Sequence, residues 1–289
     1  MIKLMVAIVL LIGILSAWSP AQGKLSREAE WVFSITDKIT SEDVLQVRNA
    51  LQTIKPETKP LSVRPLFYLN SPGGDIYAAM EMGRLLRKAR AICIVPVHKQ
   101  CASACVFVLS GGIERSVYGK IAIHRPYSTY VGLRDYESAE KQYRKTEIAA
   151  KDYLKEMNLP DKLYEAMVQI PPEQIRVLSR KEIEGFSLAG IDPVEQELRD
   201  SVLAGRFGIS KREYLSRKIR VESVCPPHSH KPSDQEIDDS IACNEAFMYG
   251  LQVDVYKARK PRADQLCSAY NNDLRQLWSC TQAVLRGEK

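Results

Sequence analysis

Four residues of types that support acyl transfer lie on three short, separated segments of the chain. Ser103 stands between two alanines at the start of an apolar run, Gly73 and Gly74 follow Asn-Ser-Pro, and His124 follows Ile-Ala-Ile. A serine hydroxyl is a weak nucleophile until a neighbouring base removes its proton, and histidine is the commonest such base. If the fold brings the three segments together, Ser103 could attack a carbonyl carbon while His124 accepts its proton.

The same chemistry needs main-chain amides directed at the oxyanion that forms on the substrate carbonyl. Gly73 and Gly74 could supply such amides, because a backbone without a Cβ can approach a substrate closely. The amide of Ala104, directly after the serine, is a further candidate. Residue types alone do not distinguish this set from a serine that only packs between alanines, so the surrounding elements must be considered.

Strands and helices alternate along the first two thirds of the sequence. The continuous apolar run at 91–97 is typical of a parallel strand buried on both faces, and apolar residues recur at helical spacing after Gly74. The predicted strands are 31–36, 64–69, 91–97, 115–118 and 120–123, and the predicted helices include 41–51, 133–157, 161–169 and 179–186. This order predicts an α/β fold with right-handed crossovers.

The segment directly after Ser103 gives conflicting signals. Residues 104–109 are rich in valine and phenylalanine, which favour a strand. The glycine pair 111–112 suits the end of a helix equally well. The pattern alone leaves both structures open.

The first residues have the order of a secretory signal. Lys3 precedes an apolar run at 4–15, and the small residues Ser19 and Ala21 follow it. The run is short for a membrane anchor. We therefore predict a signal peptide at 1–21, a mature protein with no membrane span, and a periplasmic or secreted location.

Charge and motifs limit the classes of partner. The net charge of +6, from 41 basic and 35 acidic residues, is mild. A nucleic-acid-binding protein would instead carry a concentrated basic stripe, so no nucleic acid is predicted as a partner. The sequence has no nucleotide-binding motif, and we predict neither a cofactor nor a metal ion.

Seven cysteines become informative if the chain is exported, because oxidising compartments permit disulfides. The odd number leaves at least one thiol unpaired, and Cys93, inside an apolar run, is the predicted free thiol. Cys101 and Cys105 flank the serine segment, and we expect them to be either bonded to each other or simply buried.

The last part of the chain differs in character from the rest. We predict an α/β domain at 22–199 and a helical region with disulfides at 200–289. Ser233 and Glu236 have capping-box spacing and open one predicted helix, and Pro261 is predicted to start a second. Cysteines 225, 243, 267 and 280 allow three pairings. Because 267 and 280 would face different directions on one continuous helix, the pairing of 243 with 280 is favoured.

Three motifs carry a resemblance to a known family. In chain order, Tyr-Leu-Asn-Ser-Pro-Gly-Gly-Asp (68–75), Ala-Ser-Ala (102–104) and Ile-His-Arg-Pro (123–126) resemble the proteolytic subunit of the Clp protease and the wider Clp-protease/crotonase superfamily. The resemblance covers roughly residues 30–194, and Cys-Ala-Ser-Ala-Cys is similar to exported members of the group.

The resemblance implies a β-α spiral fold in which Ser103 starts a helix, followed here by a C-terminal all-helical, cysteine-containing appendage. It also implies serine peptidase chemistry on a peptide or protein substrate, and a homo-oligomer. In this interpretation Ser103 is the nucleophile, His124 is the base, and the amides of Gly73, Gly74 and Ala104 form the oxyanion hole.

The sequence departs from the family at the third catalytic position. Where family members carry an aspartate, this chain has Ile175, and the nearest acid is Glu173. Asp192 matches a position that is usually structural. A triad with Glu173, a Ser–His dyad and an inactive site therefore remain alternatives, and Cys105 is a less favoured nucleophile.

Three functions follow from these alternatives. The first is an exported, ATP-independent serine peptidase, and the second is a catalytically inactive relative that binds or scaffolds peptides. The third, an acyl-CoA enzyme of the crotonase type, fits poorly with export, because acyl-CoA is not expected outside the cytoplasm.

Overall fold

The computed structural model describes residues 24–29, 31–53, 64–127, 135–225 and 232–288. The predicted signal peptide at 1–21 lies outside these ranges. The chain divides into two compact units between Asp192 and Pro193. Within the described ranges, no helix combines the length and apolar character needed to cross a membrane.

The first unit alternates strands and helices, as the sequence predicts. Its strands are β1 (Lys24–Ala29), β2 (Val32–Ile39), β3 (Leu66–Gly74), β4 (Ile92–Val95), β5 (Gln100–Ala102), β6 (Glu114–Val117), β7 (Lys120–Ile123), β8 (Arg176–Val177) and β9 (Gly190–Ile191). Its helices are α1 (Ser41–Gln52), α2 (Ile76–Lys88), α3 (Cys105–Gly111), α4 (Tyr136–Glu156), α5 (Asp161–Val168) and α6 (Arg180–Gly185).

The described strands form one sheet in the order β8-β7-β5-β3-β4-β6-β9, with β2 also paired to β3 and β1 to β2. The central pairs are parallel, and the pairs that involve β1, β8 and β9 are antiparallel. This arrangement is an α/β fold with a mainly parallel sheet, as the alternation of strands and helices in the sequence predicts.

Strand β3 pairs with two different strands along its length, and this arrangement positions the site. Its first half pairs with β4, whereas Ser71 pairs with Cys101 of β5. Strand β5 in turn pairs in parallel with β7, where Ala102 lies opposite Ala122. The carboxyl ends of β3, β5 and β7 are therefore neighbours, and chemistry-bearing residues just beyond parallel strands meet at such an edge.

The segment after Ser103 is a helix, which settles the conflict in its sequence pattern. All seven residues of α3 are buried, and the helix ends where the glycine pair begins. The local preference of valine and phenylalanine for strands is overridden because every face of this segment packs against the core. A Cβ on Gly111 would lie 2.2 Å from the Gly83 carbonyl oxygen, so the two glycines let α3 approach α2 closely.

The second unit is helical and contains α7 (Pro193–Phe207), α8 (Lys211–Val224), α9 (Asp234–Tyr249), α10 (Val253–Cys267) and α11 (Leu274–Arg286). The predicted boundary at 199/200 falls inside α7. The predicted helix start at Pro261 is wrong, because this proline lies inside α10. Burial of Tyr256, Ala263 and Cys267 holds α10 together across the proline.

The disulfides correct the predicted pairing of Cys243 with Cys280. The described disulfides of this unit join Cys225 to Cys243 and Cys267 to Cys280. The favoured pairing assumes that 267 and 280 lie on one continuous helix. The first is instead the last residue of α10 and the second lies in α11, so the turn between these helices brings them together.

Candidate active site

Ser103 occupies a strained turn between β5 and α3. Its φ of 55° lies in the left-handed region, which residues other than glycine rarely adopt. The turn is held by hydrogen bonds on both sides, because the Ser103 amide donates to the Ala122 carbonyl at 2.9 Å and the Val106 amide donates to the Ser103 carbonyl at 3.0 Å. Strain of this kind persists only where the surroundings enforce it, and it is common at functional sites.

A disulfide closes the same turn. Cys101 at the centre of β5 is bonded to Cys105 at the start of α3, and both side chains are fully buried. Ser103 therefore lies in a small covalent ring. This bond removes Cys105 as a free nucleophile, and Cys93 is the free, buried cysteine among the described residues, as the sequence predicts.

The glycine turn at the end of β3 lies directly against the serine. A Cβ added to Gly73 would stand 2.6 Å from the Ser103 Cβ, closer than real side chains approach. Gly73 and Gly74 have φ values of 108° and 149°. A Cβ on Gly74 would stand 2.2 Å from the Ile39 carbonyl oxygen, so neither position accommodates a side chain.

Of the three amides predicted for the oxyanion hole, that of Ala104 has the clearest geometry. Within the described ranges no group accepts a hydrogen bond from it, although Ala104 is only 3% exposed. The space beside it is kept open by Gly73, whose added Cβ would lie 3.0 Å from the Ala104 nitrogen. An amide that lacks a partner and lies at the wall of the cleft is suited to receive a ligand oxygen.

The Gly73 amide has a partner in this structure. It donates to the hydroxyl of Ser71 at 3.1 Å, and that hydroxyl donates to the Asp37 carbonyl. Ser71 is fully buried and therefore fixes the shape of the glycine turn. Sequence reasoning missed this residue, although a serine two positions before a glycine is a recognisable turn signal.

His124 directly follows β7, the strand next to β5. Its Nδ1 lies 2.9 Å from the main-chain oxygen of Arg125, and its ring lies 5.6 Å from the ring of Tyr127. No hydrogen bond joins the His124 ring to Ser103 in the described part of the chain. Catalytic hydrogen bonds are often long or poorly aligned until substrate binds.

All six residues predicted for the site line a single cleft of about 620 Å³. They are Gly73, Gly74, Ser103, Ala104, His124 and Glu173. The cleft also has apolar walls, which include Ile76, Phe107 and Met167. Its volume and its mixed lining are typical of ligand sites.

The acidic candidates are placed differently. Glu173 is exposed on the cleft wall, and among the described residues it makes no hydrogen bond or ion pair with His124. Asp192 is almost fully buried, forms an ion pair with Arg87 at 3.0 Å and accepts a hydrogen bond from Asn158. Its role is therefore structural. Where the structure is described, no three His, Cys, Asp or Glu side chains are grouped as a metal site requires.

Ile175 lines the same cleft as the histidine. Strands β7 and β8 pair in antiparallel register, with Ala122 opposite Val177 and Ile123 opposite Arg176. This pairing ends next to both residues, because His124 follows Ile123 and Ile175 precedes Arg176. The Ile175 side chain is 56% exposed, lines the cleft and carries no hydrogen-bond acceptor.

Comparison with known proteins identifies the family of the first part of the chain. The family model for Clp protease matches residues 23–176, which is more than half of the chain. No curated protein sequence matches the chain.

Two solved structures are similar to part of the chain. One is a mutant of the 1510-N membrane-bound stomatin-specific protease, with 17% identity, a TM-score of 0.42, and coverage of 54% of this chain and 75% of that chain. The other is a mutant of ClpP1 from Listeria monocytogenes, with 14% identity, a TM-score of 0.44, and coverage of 55% and 89%. Similarity at this level carries no argument about activity.

The glycine turn, the serine turn and the histidine all precede residue 176, and over this matched span the chain belongs to the Clp protease family.

Proposed function

We propose that this protein is an exported serine peptidase that works without ATP, with Ser103 as nucleophile and His124 as base. The observation that supports it is the meeting of three neighbouring strand ends in one cleft. They bring together a strained serine, an unpartnered amide kept accessible by Gly73, and an imidazole.

The proposed reaction begins when Nε2 of His124 takes the hydroxyl proton as Ser103 Oγ bonds to the carbonyl carbon of a peptide. The carbonyl oxygen becomes an anion and accepts a hydrogen bond from the Ala104 amide, with that of Gly74 as the second candidate. Each such donor is worth about 2.7–4 kcal/mol. The C–N bond then breaks, the amine leaves with the proton from the imidazolium, and water hydrolyses the acyl-enzyme by the same route.

Export is supported by the order of charge, apolar run and small residues at 1–21, and by the cysteine bonds. The described residues contain three disulfides, and disulfides are rare in reducing compartments. Amino-terminal sequencing of the protein purified from its native source should start at Gln22. Material that retains Met1 at its amino terminus would contradict export by signal cleavage.

A peptide or protein substrate and a homo-oligomer are proposed from family membership. Peptidases of this family act on peptides and assemble into homo-oligomers. Light scattering on the purified mature chain should give the mass of two or more subunits. A monomeric mass at every concentration would contradict the proposal.

The experiment that tests the chemistry compares two serines of one cleft. Ser103→Ala should lower the kcat for peptide hydrolysis by about 10⁴–10⁶-fold without loss of fold and should abolish labelling by a fluorophosphonate. Ser41 also lines the cleft, so Ser41→Ala is the matched control. This variant should keep both peptide hydrolysis and fluorophosphonate labelling. Unchanged hydrolysis in the Ser103 variant would rule out the proposed mechanism.

A second candidate function is an inactive relative that binds peptides in the same cleft. It is favoured by the lack of a described hydrogen bond between Ser103 and His124 and by the apolar side chain of Ile175. In that case the wild-type protein would bind peptides, and a fluorophosphonate would not label it.

A further inference from the structure

The proposed function leaves open what orients the imidazole of His124. Position 175 lines the same cleft and carries an isoleucine, and the Glu173 carboxylate makes no hydrogen bond with the His124 ring among the described residues. The one hydrogen bond that the ring makes in the described structure joins Nδ1 to the main-chain oxygen of Arg125 at 2.9 Å.

This contact determines where the ring proton lies. A carbonyl oxygen only accepts hydrogen bonds, so Nδ1 must be the donor and must carry the proton. In a neutral imidazole the other nitrogen, Nε2, then holds the free lone pair. That is the tautomer a serine hydrolase needs, because Nε2 takes the proton from the hydroxyl.

The accepting carbonyl is itself held in place from two sides. The Arg125 amide donates to the Ile170 carbonyl at 2.8 Å, and its guanidinium Nε donates to the Val168 carbonyl at 3.0 Å. The next residue is the buried Pro126, and a residue before proline is restricted to extended conformations. The peptide between 125 and 126 therefore has little freedom to turn its oxygen away from the ring.

We propose that the main-chain carbonyl of Arg125 takes the place of the carboxylate of a catalytic triad, and that the Arg125 side chain is a positioning residue for it. This inference rests on the proposed function, since it assigns the group that prepares His124 to act as base. A neutral carbonyl fixes the tautomer but brings no negative charge to stabilise the imidazolium. The site is therefore a main-chain-assisted dyad, and an acid introduced at position 175 should improve it.

The first test reads the tautomer directly and does not depend on activity. The full mature chain is labelled with ¹⁵N-histidine, and its NMR spectrum is recorded at a pH where imidazole is neutral. The chain has four histidines, and comparison with His124→Gln assigns the signal of interest. We expect the Nδ1–H tautomer at His124. An Nε2–H tautomer, or an even mixture, would overturn the inference.

The second test perturbs the anchor of the carbonyl. Arg125→Ala should shift His124 towards a mixture of tautomers and lower kcat about tenfold or more with little change in KM, because a wrong tautomer costs up to about 10⁴ in serine proteases of another fold. Arg180 also donates to a main-chain carbonyl, that of Val117, so Arg180→Ala is the matched control and should leave the tautomer unchanged. A tautomer that is unaltered in the folded Arg125 variant would refute the positioning role.

The third test supplies the missing acid. Ile175→Asp should raise kcat by about tenfold or more and should restore activity to Arg125→Ala, whereas Ile175→Asn, which has the same shape without the charge, should do neither. Equal activities of the Asp and Asn variants would show that a carboxylate at position 175 does not assist His124. That result would overturn the inference that the site lacks an acid. If wild-type protein has the Nδ1–H tautomer but is not labelled by a fluorophosphonate, the proposed function fails and the orientation of the ring stands.

Discussion

Replacing Gly73 by alanine is the most direct perturbation of the proposed oxyanion site. The added Cβ would stand 2.6 Å from the Ser103 Cβ, 2.9 Å from the Ala102 carbonyl oxygen and 3.0 Å from the Ala104 nitrogen. Two of these three neighbours are main-chain atoms that cannot rotate away. The methyl group would therefore displace the serine turn and occupy the space in front of the Ala104 amide.

Two separate effects should follow, one on activity and one on stability. Loss of one oxyanion donor lowers kcat by about 10²–10³-fold. The φ of 108° at position 73 is also unfavourable for alanine, and a residue held in such a region costs on the order of 1–3 kcal/mol of stability. A loss of activity by itself could thus reflect backbone strain alone.

Gly190 provides a control that separates the two effects. It has a similar φ of 100°, but nothing lies within 4 Å of a Cβ built on it. Gly190→Ala should therefore have a comparable cost in backbone strain without touching the cleft. Both variants should unfold at lower urea concentration than wild type, and only Gly73→Ala should lose catalytic rate.

The assay is the rate of fluorophosphonate labelling, measured beside urea unfolding curves on the same preparations. We expect the Gly190 variant to label at the wild-type rate and the Gly73 variant to label at least about 10²-fold more slowly. If the Gly73 variant labels as fast as the Gly190 variant, no oxyanion forms at the glycine turn and the reasoning is refuted.

Three further predictions concern the cysteines and one acid. Burial raises the pKa of the Cys93 thiol to about 12, so mass spectrometry should detect no iodoacetamide adduct on the folded protein and one per chain after unfolding without reductant. Replacing Cys101 and Cys105 together by alanine should slow labelling of Ser103 by up to about 10²-fold, the cost of a 1 Å displacement, whereas removing a disulfide of the second unit should not. Hydrogen bonds from Ser179, and then from Arg176, lower the pKa of the Glu182 carboxyl group from 4.5 to about 2. The ionised Glu182 therefore stabilises the folded state fully above pH 4.5, and this stabilisation is lost as the pH falls to about 2. The difference in urea midpoint between wild type and Glu182→Gln should shrink over that range, and a difference that stays constant would contradict this assignment.

Local patterns in the sequence were sufficient for most of the first unit. The alternation of apolar runs and helical spacing predicted the order of elements, because such periodicity reflects which faces each segment buries. The segment at 104–109 was ambiguous for the opposite reason. All of its faces are buried in α3, so no periodicity separates helix from strand.

The second unit shows where local signals fail. Pro261 is a recognised sign of a helix start, yet α10 runs through it, because apolar side chains on both sides of the proline pack into one cluster. That error carried over to the disulfides. On one continuous helix Cys267 and Cys280 would face different directions, and only the position of the turn between α10 and α11 shows that they can bond.

The sequence by itself determined the chemical types of the site residues, their order, and the glycines that a tight turn requires. Only the tertiary structure decided that Gly73 lies against Ser103, that Ile175 and His124 line one cleft, and that the imidazole donates to a main-chain oxygen. The physical reason is the range of the interactions. Turn and capping preferences act over three or four residues, whereas the register of β3, β5, β7 and β8 depends on packing the whole core. A main-chain acceptor such as the Arg125 carbonyl leaves no side-chain signal at all, because every residue has one.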